Sequence, residues 1–321
     1  MPVPNLQAAP APLLAALREM REQPDVARDS LTALGLHALD GARNNLVYRH
    51  QPEGEAEPSI IKLYYKTDER RRVERESAAL TLLTQHGVAR VPRLLWQDEH
   101  PRTPALGMTV MPGIPLPELT NPASALPGFV ATWQRIHAVA PTGLLAGLPR
   151  IDDSSHFIAR LTGQWPDQLA QSEGDPQTPE MLQLLKAWQH SGDADVLAVA
   201  QPAAFSRGDA NLLNWLAHGD EVAAVDFEFA GYSDAAYDVA ELVEHISARV
   251  IDDEAWARVV PDLGVTTPAQ RSRYQAAART VALRWLAVLW KQRFKRADEF
   301  TAQLERVHRL QRGQSPLSDL V

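Results

Sequence analysis

The stretch Ser206–Asp238 reads SRGDANLLNWLAHGDEVAAVDFEFAGYSDAAYD, and it decides the fold. Asp209 follows Gly208, so a carboxylate sits on backbone free to turn sharply. Asn214 lies five residues on, beside the apolar pair Trp215-Leu216. Asp226 follows the apolar run Val222–Val225, which reads as a short buried strand, and stands at its C-terminal end. A hairpin through His218-Gly219-Asp220 would bring Asn214 and Asp226 onto neighbouring strand ends. Three oxygen-bearing side chains, Asp209, Asn214 and Asp226, then converge. Each one alone reads as a turn residue, because Asp and Asn cap and hydrogen-bond locally. As a set, Asp-x4-Asn followed by a strand ending in Asp-Phe goes beyond what turn chemistry requires.

Hard oxygen ligands suit Mg²⁺, which takes one or two carboxylates and leaves positions for phosphate oxygens. A further carboxylate outside the metal shell is what a phosphoryl transferase needs to orient an attacking hydroxyl. The absence of cysteine removes thiolate metal sites, disulfides and cysteine nucleophiles from consideration.

Working outward, the chain changes character about a third of the way in. Leu13–Glu22 reads as a short helix after a proline-rich arm. Leu46–Arg49 and Ser59–Tyr65 are β-prone runs joined by a polar segment with Gly54 and two prolines, a hairpin with a long loop. Arg72–Gln85 has helical spacing, with Ala79, Leu80 and Leu83 on one face and Gly87 as a stop. Val91–Gln97 and Gly107–Met111 read as two more strands. Met111-Pro112-Gly113-Ile114-Pro115 cannot continue a strand easily, because proline has no N–H to donate. A boundary falls there, giving lobes 1–112 and 113–321. Beyond it, Phe129–Val139, Leu182–Gln189, Ala235–Val250 and Arg273–Arg296 read as helices. The predicted fold class is α+β: an antiparallel sheet lobe with a helix, then a larger, mostly helical lobe.

The 321 residues carry 32 Lys+Arg against 40 Asp+Glu, a formal net charge of -8, which argues against a nucleic-acid binder. The apolar run Leu13–Leu17 is too short for a signal core and no basic segment precedes it. Val281–Trp290 is interrupted by Arg284 and falls far short of the ~20 residues of a spanning helix. A soluble cytoplasmic protein with no membrane partner is expected; oligomeric state is left open.

The segments RGDANLLNWL and AAVDFEFAGYSDAAYDVAEL together resemble the core of the aminoglycoside phosphotransferase and choline kinase family, kinase-fold enzymes that phosphorylate small molecules. That core usually reads His-Gly-Asp-x4-Asn, then a strand and Asp-Phe-Glu or Asp-Phe-Asp, then Gly-Asp-Pro-x-Tyr-Asp-Leu-Ala. The resemblance implies a bilobal protein-kinase-like fold, Asp209 as the catalytic carboxylate, and Asn214 and Asp226 as magnesium ligands. Asp238 matches a position read as bracing the site from a helix start. Arg207 departs from the pattern, standing where the family has a His that holds the catalytic loop. Arginine can donate such bonds but is longer and always charged.

By the same resemblance, Lys62, inside the apolar run Ser59–Tyr65, would neutralise nucleotide phosphates, held by a helix carboxylate. Glu76 fits that role, with Glu74 a competitor on a different helix face. Leu39–Tyr48 resembles the phosphate-covering hairpin, with Asn44 against the nucleotide. Val110 and Met111 fall where the family's hinge meets adenine, and Pro112 offers no N–H there. Trp133 and His137 match a helix used for core packing.

The implied reaction moves the γ-phosphoryl of ATP, or of GTP, to a hydroxyl of a small molecule, with Mg²⁺ bridging the phosphates. Glu228, Glu241, Glu244 and Asp152-Asp153 suggest an anionic wall for an amine-bearing acceptor such as an aminoglycoside, an amino sugar or choline. The alternative reading is the general acidity of the chain. Two other functions stay open: a nucleotide-binding protein with little or no transfer, motivated by Arg207, and a magnesium-dependent phosphohydrolase with no need of Lys62.

Overall fold

The computed structural model describes residues 6–22, 28–39, 45–52, 54, 57–65 and 70–314. Residues 40–44 of the predicted phosphate-covering hairpin, Asn44 among them, lie outside the described residues.

The amino-terminal part is a sheet with helices on it. Helices α1 (Ala11–Glu22) and α2 (Arg28–Ala33) precede strands β1 (Leu36–Ala38), β2 (Asn45–His50) and β3 (Ser59–Tyr64). Helix α3 (Arg72–Gln85) follows, then β4 (Leu94–Asp98) and β5 (Ala105–Thr109). The five strands pair antiparallel in the order β1-β2-β3-β5-β4. Lys62 of β3 stands opposite Val47 of β2 and Leu106 of β5, in the middle of the sheet. An interior strand shields backbone groups from water, so a lysine there needs charged partners within the protein.

Helix α3 packs on β4 and β5 through the predicted face of Ala79, Leu80 and Leu83, all fully buried. Burying each leucine contributes about 1.5–3 kcal/mol. Gly87 ends the helix region at a φ of 66°, a left-handed conformation open to glycine. The two later strands sit slightly off their predicted positions. The first begins at Leu94, beyond the Pro92 that the expected Val91–Gln97 would have included, and the second runs Ala105–Thr109 rather than Gly107–Met111. On the outer face, Leu14 and Leu17 of α1 and Leu31 of α2 share a small core with Leu36, Tyr48, Ile61, Leu63 and Trp96.

The larger lobe opens with β6 (Ile114–Pro115) and α4 (Leu126–His137) and continues through α5 (Leu144–Gly147), α6 (Ser154–Ala159), α7 (Trp165–Ala170), α8 (Thr178–His190) and α9 (Asp193–Ala198). Then come β7 (Ala204–Ser206), β8 (Trp215–His218), β9 (Glu221–Ala224) and β10 (Gly231–Ser233). Helices α10 (Ala235–Glu244), α11 (Asp253–Val259), α12 (Pro268–Trp290) and α13 (Ala297–Gln311) close the described chain. Strands β8 and β9 form the predicted hairpin, with Trp215 opposite Ala224, and β6 pairs on its edge. Strand β10 pairs with β7.

Helices α4 and α8 start three and four residues before the expected Phe129 and Leu182, and two further runs differ more from the sequence reading. The run Ala235–Val250 breaks at His245, whose extended backbone (φ −62°, ψ 141°) ends α10 and whose ring caps the 3₁₀ turn Ile246–Val250. Helix α12 starts at Pro268, not Arg273, because Thr267 and Gln270 form a reciprocal cap, and it ends at Trp290. A continuous apolar core joins α3 to α4, α10 and α12. Among the described residues, no helix is long and apolar enough to cross a membrane.

Candidate active site

The hairpin of β8 and β9 sets the site. Val225 donates its N–H to the Asn214 carbonyl at 2.9 Å, which fixes Asp226 beside the Asp209–Asn214 loop. Gly208 takes a φ of 82°, and a Cβ there would lie 1.9 Å from the Phe229 carbonyl oxygen, so the turn into Asp209 needs glycine. Asp226 itself has a φ of 65°, uncommon for a residue with a Cβ. Such a conformation persists only where surrounding contacts enforce it.

Asp209 accepts the Asn211 N–H at 2.9 Å and the Asn214 side-chain amide at 2.7 Å. With its nitrogen turned to Asp209, Asn214 keeps its amide oxygen as an acceptor. Burial raises the Asp209 carboxyl above its ordinary value; Arg207 opposes the rise and Asp226 adds to it.

Lys62 donates to Glu76 at 2.7 Å and to Asp226 at 2.6 Å, and its ammonium lies 3.1 Å from Glu228. Burial alone would discharge the lysine, but Asp226, Glu76, Tyr64 and Glu228 outweigh it and hold the Lys62 pKa well above its ordinary value. The same ion pair settles Asp226: burial would raise its carboxyl, yet Lys62 and Arg207 bring it below the usual range. Glu76 is 1% exposed and also accepts from the Tyr64 hydroxyl and, at 3.1 Å, from the Phe227 N–H. Its competitor Glu74 is half-exposed and, among the described residues, pairs only with Arg71, at 3.8 Å.

Glu76, Asp226 and Glu228 offer carboxylate oxygens within 4.8 Å of one another. Carboxylate oxygens suit a hard cation such as Mg²⁺, and the amide oxygen of Asn214 is a further candidate donor on the neighbouring loop. Val110 and Met111 lie half-buried in the coil after β5, outside both neighbouring sheets.

Arg207 holds the loop as the departure from the usual His requires. One guanidinium nitrogen donates to the Val225 and Asp226 carbonyls, each at 3.2 Å, and the group lies 5.5 Å from the Trp215 ring centre. Asp238 sits in the first turn of α10 and reaches the loop indirectly. Arg150 donates to Asp238 at 2.9 Å and to the Gly208 carbonyl at 2.7 Å, and forms a close ion pair with Glu241. Sequence reasoning passed over Arg150, and also Asn45, Tyr64 and Arg72, which contact Glu228 or Glu76. No local spacing marks any of these four. His137 stacks on Trp133 with ring centres 4.0 Å apart, and burial lowers its pKa to about 4, so it is neutral and packs in the core.

The acids proposed as a wall for an amine are each engaged. Glu228 is bound by Lys62, Asn45 and Arg72, and Glu244 by Arg249 and Arg306. Asp152 pairs with Arg160 at 3.0 Å, and Asp153 caps α6 and bonds the His156 ring. Burial pushes Glu241 up to about 8 even with Arg150 beside it.

A strand lysine clamped by a helix glutamate, facing a helical lobe across an Asp–Asn loop, defines a kinase-like fold. Solved structures share it. The chain covers 92% of its length, and 97% of the other, in matching a thermostable aminoglycoside phosphotransferase APH(4)-Ia mutant in ternary complex with AMP-PNP and hygromycin B (16% identity, TM-score 0.56). A choline/ethanolamine kinase family protein from Mesorhizobium loti matches with 17% identity and a TM-score of 0.57, over 92% of this chain and 94% of that one. The AMP-bound spectinomycin phosphotransferase APH(9)-Ia matches with 10% identity and a TM-score of 0.59, over 85% and 92%. No curated protein sequence matches significantly. The profile of the phosphotransferase enzyme family matches residues 35–275, and the chain belongs to that family.

Proposed function

We propose that this protein transfers the γ-phosphoryl of ATP, with GTP as the alternative donor, to a hydroxyl of a small molecule. The observation that carries the reading is the joining of two constellations by one contact. The Lys62–Glu76 pair of the sheet lobe meets Asp226 of the helical lobe at 2.6 Å, next to the Asp209–Asn214 loop. In this reading the lobes divide at 112/113, Lys62 holds nucleotide phosphates, and Val110, Met111 and Asn44 contact the nucleotide. Asp226 and the Asn214 amide oxygen hold Mg²⁺, which when bound offsets charge on the phosphates.

Asp209 orients the acceptor hydroxyl and takes its proton. Its raised pKa brings it nearer the proton it must receive, while the Asn211 and Asn214 bonds fix its direction. Catalysis of this kind is positioning and electrostatics, and the short bonds around Lys62 and Asp209 supply both.

The test is turnover of the Asp209→Asn variant with ATP, Mg²⁺ and a panel of hydroxyl acceptors. Loss of the base should lower turnover by roughly 10²–10⁴-fold with nucleotide binding retained. An unchanged rate would remove Asp209 from the chemistry. A phosphohydrolase that ignores Lys62 is the less supported reading, because Lys62 is built into the site by three carboxylates.

A further inference from the structure

The acids read as an amine wall are engaged, but the Nε of one half-buried arginine near them is not. Arg284 lies on α12, which packs against α10 and α6. Its guanidinium sits 5.5 Å from the Phe157 ring centre, and its Nε is buried with no hydrogen-bond partner among the described residues. The next residue, Trp285, has a buried, unpartnered Nε1 as well. Both orphan atoms are donors. An unsatisfied buried donor costs free energy until an acceptor reaches it.

The surroundings connect this arginine to the reacting end of the site. Phe157 meets Tyr237 edge-on at 6.1 Å; Arg150 lies over Tyr237 and bonds the Gly208 carbonyl, one residue before Asp209. Arg160 and Asp152 form an ion pair within electrostatic reach of Arg284. Burial, with the like charge of Arg160, lowers the Arg284 pKa to about 10, although Asp152, Tyr237 and Glu241 pull the other way.

We infer that Arg284, with Arg160 beside it, receives an anionic group of the acceptor, a carboxylate or a phosphate, while the acceptor's hydroxyl is presented to Asp209. This rests on the phosphotransferase reading and narrows it: the acceptor is a hydroxy acid or a phosphorylated alcohol, not a polyamine. Arginine suits the task because its planar fork matches both anions.

The experiment measures the melting temperature of the full chain saturated with Mg²⁺ and AMP-PNP, then with each of four probes added. Glycerate tests the carboxylate, ribose 5-phosphate the phosphate, and choline and 2-aminoethanol the amine class. At least one anionic probe should raise the melting temperature further. Arg284→Met, which keeps the apolar stem and removes the donors, should weaken that response about tenfold or more, since hydrogen bonds to charged groups are the strong class. Arg284→Lys should restore part of it. The response to nucleotide should stay the same in all variants, which a merely structural role for Arg284 would not allow. A response to the amines alone, to neither class, or one indifferent to Arg284→Met overturns the inference. Absence of any response to nucleotide is read before a probe is added, and would defeat the phosphotransferase reading itself.

Discussion

Arg207 shows how one residue can replace another by a different route. Two bonds from its guanidinium to the Val225 and Asp226 carbonyls tie the loop that carries Asp209 to the segment that carries Asp226. Stacking on Trp215 gives the long side chain a fixed course through the core. Burial lowers its pKa, with Asp209 and Asp226 opposing the fall, so its charge is partly balanced by the acids it positions. Arg207→His should therefore lower turnover by about tenfold, the value of a hydrogen bond or two lost from the loop. Steady-state kinetics at saturating nucleotide would check this. A large gain instead would mean that arginine had closed the site, as the non-transferring alternative requires.

At the scale of elements, α3 is the clamp. Glu76 is where helix, strand and the Asp226–Phe227 segment meet, because its carboxylate serves Lys62, Tyr64 and the Phe227 N–H together. Burial raises its pKa and Lys62 draws it back down. Glu76→Ala would leave these donors short of an acceptor and should cost on the order of 3–5 kcal/mol, as for breaking a buried pair. Urea unfolding of the two proteins would measure it, and a loss below about 1 kcal/mol would show that the clamp is slack.

Legibility followed the same division. The Asp209, Asn214 and Asp226 cluster could be read because an eighteen-residue turn-and-hairpin brings them together by local geometry. Lys62 stood out as a charge within an apolar strand, and helix periodicity set Glu76 apart from Glu74. Arg150 could not be read, since it lies 58 residues from Gly208 and 88 from Asp238 and only tertiary packing joins them. The anionic wall misled for a related reason. A sequence displays Glu244 and Asp152 but not Arg306 and Arg160, which neutralise them. The break at His245 was hidden because no Gly or Pro marks it in the sequence.

In the whole molecule, sheet and helical lobes share one apolar core and meet at Lys62 and Asp226, contacts separated by 164 residues in the chain. In the proposed function, that contact joins a phosphate-binding lysine to a metal-binding carboxylate. The most direct measurement is the melting-temperature shift on adding ATP or GTP, with and without Mg²⁺, to the wild-type protein and to Asp226→Asn. Binding to the folded state alone stabilises by about 2.7 kcal/mol at a hundredfold excess over the dissociation constant. The account predicts a shift that needs Mg²⁺ in the wild type and that Asp226→Asn largely removes. A shift from neither nucleotide, or one that ignores both Mg²⁺ and the substitution, would contradict it.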